Sequence, residues 1–195
     1  SKLESSDIYW CHNCKVPLYE KVCKCCNTQG ERITTDIRPV FPQERLLLEL
    51  IWNKAPGTYE KSSVWNCSGN YYYIDGKRIR SVKDLKNIDA DLVRKRYFQE
   101  EKNINRQYFD EYIDRFVKAN SDRYEFIVKE ATDYIRGSVK GYTVMDMFVS
   151  FSGGKDSTVT SDLVIRALSE PKILHIFGDT TLEFPETIKY VERFK

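Results

Sequence analysis

The sequence has no apolar run approaching the roughly 18 residues that span a bilayer. Its first residues also lack the charged-then-apolar pattern of a secretory leader. Both absences predict a cytoplasmic protein with no membrane partner. Neither sign of charge is in excess: 31 basic against 29 acidic residues leave +2. That balance neither requires nor excludes nucleic acid. There is no internal repeat and no low-complexity tract. Cysteine is scarce outside one short stretch. Five of the six lie between Cys11 and Cys26, and none follows Cys67. The Walker A pattern G-x-x-x-x-G-K-[ST] is missing too, since Gly153 and Gly154 are adjacent and Lys155 follows at once.

The chain has 195 residues, 41% of them hydrophobic, which supports a packed core. It begins at Ser1 rather than Met and stops at Lys195 inside an apparent helix. A processed chain or a fragment is therefore expected, or a domain completed by further residues or other chains.

Three segments are expected. Residues 1–40 are cysteine-rich and too poor in large apolar side chains to fold without a staple. Residues 41–140 combine helices with a β-meander. Pro42 opens a helix through Leu46, Leu47, Leu50 and Ile51, and Ala55-Pro56-Gly57 ends it. Three β-prone runs follow: Val64–Cys67, Tyr71–Ile74 and Lys77–Arg80. Ser68-Gly69-Asn70 and Asp75-Gly76 divide them, and the second is a strong hairpin signal. Phe109, Tyr112, Ile113, Phe116 and Val117 recur at helical spacing, as do Tyr124, Ile127, Val128, Ala131, Tyr134 and Ile135. Asp122 with Glu125 suggests a capping box between the two helices, and Gly137 a C-terminal stop. Residues 141–195 read as strand (Met145–Phe151), glycine loop, helix (Ser157–Leu168), strand (Lys172–Phe177), loop and a helix from Pro185. That order implies an α/β fold with a parallel sheet and right-handed crossovers.

Between the first strand and helix of that third segment stands Ser152-Gly153-Gly154-Lys155-Asp156-Ser157. Paired glycines let a backbone approach an anion closely. Loop amides and the following helix N-terminus then point at phosphate oxygens. The plainer alternative is an ordinary strand-to-helix turn with Asp156 or Ser157 as N-cap. A second motif, Gly178-Asp179-Thr180-Thr181-Leu182-Glu183-Phe184-Pro185-Glu186-Thr187, lies one helix and one strand later.

With these two motifs in register, the third segment resembles the PP-loop family of ATP pyrophosphatases. Within it, the phosphoadenosine phosphosulfate (PAPS) reductase branch is nearest. The resemblance implies an adenine-nucleotide-binding sheet of five or so parallel strands, of which two are present here. It also implies chemistry at the α-phosphate with release of pyrophosphate. Nucleotide contacts then fall to Ser152, Gly153, Gly154, Lys155, Asp156, Ser157, Asp179 and Thr180. Lys155 and Asp156 are the catalytic candidates. Lys155 can neutralise charge on leaving pyrophosphate, and Asp156, with Asp179, can hold Mg²⁺. Glu183 and Glu186 read as loop and helix-start residues, and Glu186 after Pro185 suits the helix dipole.

Cys11-x2-Cys14-x8-Cys23-x2-Cys26 has the spacing of a zinc ribbon, in which two Cys-x2-Cys turns complete a tetrahedral S4 site. Cys25 offers an alternate register, and His12 falls inside the first turn without being needed. Disulfides, free thiols and an iron–sulfur cluster are the alternatives. Cys67 reads as a small core residue. Asp36–Pro42 with Glu44-Arg45 is similar to the segment preceding the PP-loop domain in some zinc-ribbon relatives, where Arg38 and Arg45 could reach an anion. Surface or ion-pair arginines are the simpler reading. Tyr71–Tyr73 with Lys77, Arg78 and Arg80 could stack bases and hold phosphates, although alternation puts at least one face in the core. Arg94, Lys95 and Arg96 read as a solvated helix face.

The leading expectation is an enzyme that binds ATP and Mg²⁺ and activates a substrate at the α-phosphate, with sulfur incorporation as one outcome. Its partner beyond the nucleotide would be a nucleic acid (tRNA or DNA) or a sulfur-carrier protein. Two other readings stand: a sulfonucleotide (PAPS) reductase, and a non-catalytic zinc- and nucleotide-binding subunit.

Overall fold

The computed structural model describes residues 7–67, 71–79 and 88–194. The turn expected at Ser68-Gly69-Asn70, the strand end at Arg80 and the terminal Lys195 lie outside them. The chain divides into two compact units, Ser1–Arg123 and Tyr124–Lys195.

In the first unit, β1 (Ile8–Cys11), β2 (Val16–Leu18) and β3 (Glu31–Thr34) form an antiparallel sheet in the order β2-β1-β3. A second antiparallel sheet runs β4 (Ile37–Pro39), β5 (Val64–Cys67), β6 (Tyr71–Ile74), β7 (Lys77–Ile79). The expected meander is thus present, and β4 extends it by pairing Ile37 with Cys67. The Asp75-Gly76 turn has φ of 50° and 83°, the left-handed pair that a two-residue hairpin needs.

Strand alternation buries both faces of this second sheet. Val64, Tyr72 and Ile74 pack with Val40 and with Leu48 of helix α1 (Pro42–Ile51). Trp65, Cys67 and Tyr73 pack on the other side with Trp10. Helix α3 (Gln107–Ala119) lies against that side, its Phe116 ring 5.0 Å from Trp65. Asn120, at the end of α3, is buried and fully engaged. Its Oδ1 accepts from the Tyr19 amide at 2.8 Å, and its Nδ2 donates to the carbonyls of Pro17 and Phe116. Helix α2 (Ala90–Glu100) is capped by Asp89, whose side chain accepts from the Leu92 amide.

Helix α4 (Ser121–Ser138) begins one residue before Asp122 and runs through Gly137. Asp122 is therefore inside the helix, where it pairs with Lys24, and Gly137 is not the stop. In the second unit, β8 (Val149–Ser150) and β9 (His175–Ile176) pair in parallel, joined by α5 (Lys155–Leu168). Helix α6 (Pro185–Phe194) follows. Both strands are shorter than expected. Thr143 and Asp146 form a capping box that winds 144–146 into a 3₁₀ turn. After α5, the Lys172 amide donates to Glu170 Oε1 and the Ile173 amide to the Glu170 carbonyl, which keeps 170–173 in a turn. α5 starts at Lys155 rather than Ser157, and its N-cap is Gly154.

Candidate functional sites

The glycine loop and the 178–184 loop both leave the C-terminal ends of the two parallel strands, where open α/β sheets bind ligands. Gly153 has φ of 71°, a conformation costly for any residue with a Cβ. It also sits under α6: a Cβ there would lie 3.0 Å from both Thr187 Cγ2 and Val191 Cγ2. Gly154 is different. Its φ is −86°, and a Cβ would meet only Ser152 Oγ at 3.5 Å. Gly153 thus shapes the loop, while Gly154 ends it as the helix cap.

The first-turn amides of α5 have no intrahelical acceptor, so the loop presents them at an exposed surface. Ser152 and Ser157 meet there, with hydroxyls 3.2 Å apart. Ser157 and Thr158 hydroxyls both donate to the Gly154 carbonyl, at 3.0 and 2.9 Å. Lys155 and Asp156 are almost fully exposed and pair with each other at 2.6 Å. Both can turn toward a ligand at the loop without leaving a buried partner. In the facing loop, Asp179 accepts from the Thr181 amide at 2.8 Å, and Thr181 has φ of 65°. Thr180 donates through its amide and its hydroxyl to Glu183, and the hydroxyl bond holds the Glu183 carboxyl below its ordinary range. Glu183 therefore braces the turn, and Glu186 lies in the first turn of α6.

Two supports of the loop were not foreseen in the sequence. Ser161 is buried on α5, its hydroxyl 2.7 Å from His175 Nε2, while His175 Nδ1 lies 2.8 Å from the Ile173 carbonyl. With Nδ1 donating to that carbonyl, Nε2 accepts from Ser161 and ties helix to strand. Thr158 and Tyr190 hydroxyls lie 3.0 Å apart and link α5 to α6. A histidine amid apolar neighbours gave no periodic signal that could distinguish this role.

The sulfurs of Cys11, Cys14, Cys23 and Cys26 all lie within 4.8 Å of one another. Cys11 and Cys26 are 3.5 Å apart, and Cys14 and Cys23 are 3.7 Å apart. A tetrahedron with metal–sulfur bonds near 2.3 Å has edges of roughly 3.8 Å, so the donor set fits a metal ion. The two turns are equivalent. Lys15 and Asn27, each one residue past a Cys-x2-Cys, have φ of 56° and 55°. Their amides donate 2.8 Å back to the Cys11 and Cys23 carbonyls. That symmetry selects Cys26 and leaves Cys25 exposed outside the cluster. His12 meets Glu31 instead.

Burial, with neighbouring sulfurs, pushes the Cys11 thiol up to about 11 and raises Cys14 strongly. Cys26 is lowered to about 6, chiefly by Thr28. Thr28 Oγ1 accepts from Asn13 Nδ2 at 2.7 Å and lies 3.3 Å from Cys26 Sγ. Its own hydrogen is thereby free to point at a thiolate. The raised thiols of Cys11 and Cys14 would have to lose their protons to bind a metal ion.

The remaining candidates have structural partners. Arg38 makes a two-pronged bond to Glu44, at 2.7 and 2.8 Å, and Tyr72 Oη donates to the same carboxylate at 3.0 Å. Burial raises the Glu44 carboxyl, but the donors outweigh it and hold it below its ordinary value. Burial and Glu44 together push Tyr72 up to about 12. Tyr73 Oη donates to the Ile33 carbonyl. Tyr71 is half-buried, with the exposed Arg78 guanidinium 3.8 Å over its ring. Cys67 is a buried core residue whose thiol is raised by burial. Arg94 pairs with Asp91 on the exposed face of α2.

Among the described residues, no helix is long and apolar enough to cross a membrane. Residues 146–195 match the family model of the phosphoadenosine phosphosulfate reductase domain. The chain is similar to two proteins of Methanocaldococcus jannaschii. The uncharacterized protein MJ0066 is 34% identical over 123 residues, covering 60% of this chain and 25% of its own length. The uncharacterized protein MJ0973 is 31% identical over 131 residues, covering 65% of this chain and 27% of its own. The chain spans about a quarter of the length of these curated relatives. No solved structure matches.

Proposed function

We propose, from the match of residues 146–195 to the phosphoadenosine phosphosulfate reductase domain model, that the protein binds ATP and cleaves it at the α-phosphate to activate a substrate. The observation that carries the reading is Gly153, held at φ 71° against α6 with the α5 amides directly behind it. An acceptor oxygen on the substrate attacks the α-phosphorus. The bond from that phosphorus to the bridging oxygen breaks, and pyrophosphate leaves, with AMP on the substrate.

The roles divide by chemistry. Backbone amides of Gly153 to Ser157 bind phosphate oxygens, and the Ser152 and Ser157 hydroxyls add donors. Lys155 releases Asp156 and turns to the leaving pyrophosphate. Asp156 and Asp179, both exposed at the two loops, are the carboxylates suited to Mg²⁺, a cation that prefers carboxylate and phosphate oxygens. Thr180 orients the second loop through Glu183. We assign a structural Zn²⁺ to Cys11, Cys14, Cys23 and Cys26. Bound there, it supplies cross-linking rather than reaction chemistry. A thiolate cluster of this kind is at home in a reducing cytoplasm. The activated substrate is a nucleic acid or a sulfur-carrier protein, and the exposed Arg78 over the half-buried Tyr71 ring is a surface suited to the former.

The name of the matched family favours a second reading, a sulfonucleotide reductase in which the same loop holds PAPS. Assays on the full-length protein decide. Pyrophosphate release from ATP, lost in Gly153→Ala and in Asp156→Ala with metal content unchanged, supports the first reading. Sulfite release from PAPS with a thiol reductant supports the second. Unimpaired turnover in both variants would overturn the site assignment.

A further inference from the structure

Arg45 carries a buried charge that neither the nucleotide loop nor the cysteine cluster uses. It lies on α1 and is 6% exposed. Its guanidinium has five N–H donors. Nη1 donates to the Glu60 carbonyl at 3.1 Å and Nη2 to the Asn105 carbonyl at 3.5 Å, while Nε has no partner among the described residues. Arg45 sits between two cavities. One, beside Ser62, is about 20 Å³, the size of a single water. The other is about 190 Å³; its polar lining includes Arg45, Glu49, Glu60 and Glu100, and Leu46 and Ile104 are among its apolar residues.

The carboxylates of the larger cavity are not equivalent. Glu49 is 1% exposed, and its two oxygens accept from the Gly57 and Tyr59 amides, each at 2.7 Å. It is a fixed countercharge inside the protein. Glu60 Oε1 accepts from Asn105 Nδ2 at 3.1 Å, and Glu100 Oε2 accepts from Asn103 Nδ2 at 3.3 Å. Each carboxylate is half-buried at the cavity, and a carboxylate has lone pairs for donors beyond that one amide. A lone anion entering here would face Glu60 and Glu100. A lone cation would face Arg45. A molecule with a carboxylate and an ammonium a few bonds apart satisfies both ends at once, and a volume of about 190 Å³ suits a small one.

We infer that this cavity is a binding site for a small zwitterion of the α-amino-acid class, its carboxylate on Arg45 and its ammonium toward Glu60 and Glu100. The site lies wholly within the first unit and does not depend on the nucleotide reading. The test is calorimetry on the full-length protein with the proteinogenic amino acids, each up to about 10 mM, with acetate and ethylammonium as half-ligands. Saturable binding of one or more small amino acids is expected, with neither half-ligand binding comparably. Glu100→Gln, at the cavity rim, should weaken it about tenfold or more, and so should Arg45→Lys in a variant shown by circular dichroism to be folded. No saturable binding by any amino acid would leave only water in the cavity and overturn the inference. So would acetate binding as tightly as the amino acid, or an unchanged affinity in Glu100→Gln.

Discussion

The indole of Trp10 rests on Gly76, and a Cβ at that glycine would overlap the ring at Nε1. One contact thus joins the cysteine-bearing sheet to the β6–β7 turn. Gly76→Ala combines a left-handed backbone angle with a clash against a side chain that is 1% exposed. The expected loss is on the order of 3 kcal/mol, read as a lowered urea midpoint. Asp75→Asn keeps a residue that tolerates positive φ and should cost much less.

The two glycines of the loop before α5 should separate in their effects. Gly153→Ala strains the backbone at φ 71° and crowds Thr187 and Val191 on α6, so nucleotide binding should fall by at least about 100-fold. Gly154→Ala meets only ordinary contact and should retain binding within about tenfold. Titration with a fluorescent ATP analogue checks both. Equal losses would mean that the loop acts through its amides alone.

At the cysteine cluster, Cys25→Ser should leave one metal ion per chain, and Cys26→Ser should lose it. Thr28→Val removes the hydroxyl 3.3 Å from Cys26 Sγ, a donor for the thiolate, and should weaken metal retention about 10- to 100-fold. Metal release to a chromogenic chelator, with elemental analysis to identify the ion, measures all three. An iron signal would replace zinc in the assignment while leaving the four ligands.

Glu44 ties acid stability to Arg38 and Tyr72. Its folded value is lowered from 4.5, so its contribution is fully present above about that pH and is lost as pH falls through the folded value. Glu44→Gln should flatten this part of the acid limb while lowering stability at neutral pH. Thermal melts of the two proteins between pH 3 and pH 7, roughly, show the difference.

Much of this was legible in the sequence because it rests on local rules. The Asp-Gly hairpin, the proline-started helix and the paired Cys-x2-Cys turns each follow from a few adjacent residues. The strand ends in the second unit were not, because Thr143 with Asp146 and Glu170 with Lys172 divert the chain by side-chain bonds that periodicity does not report. The candidate site divided in the same way. Ser152–Ser157 was readable as a glycine turn between strand and helix, but the different duties of Gly153 and Gly154 depend on α6, some 35 residues onward. The tyrosine run was ambiguous because alternation alone does not say that both faces of its sheet are covered. Arg38 and Arg45 look alike on paper. One is an ion-paired surface residue, and the other is buried between two cavities.

Phe116 touches both the cysteine cluster's apolar surround and the Trp65 ring. Loss of the metal should therefore be visible optically. As the cysteine turns loosen, Trp65 and Trp10 gain access to water and their emission moves to longer wavelength. The unit Ser1–Arg123 would then report metal occupancy by its own tryptophans, without any added label.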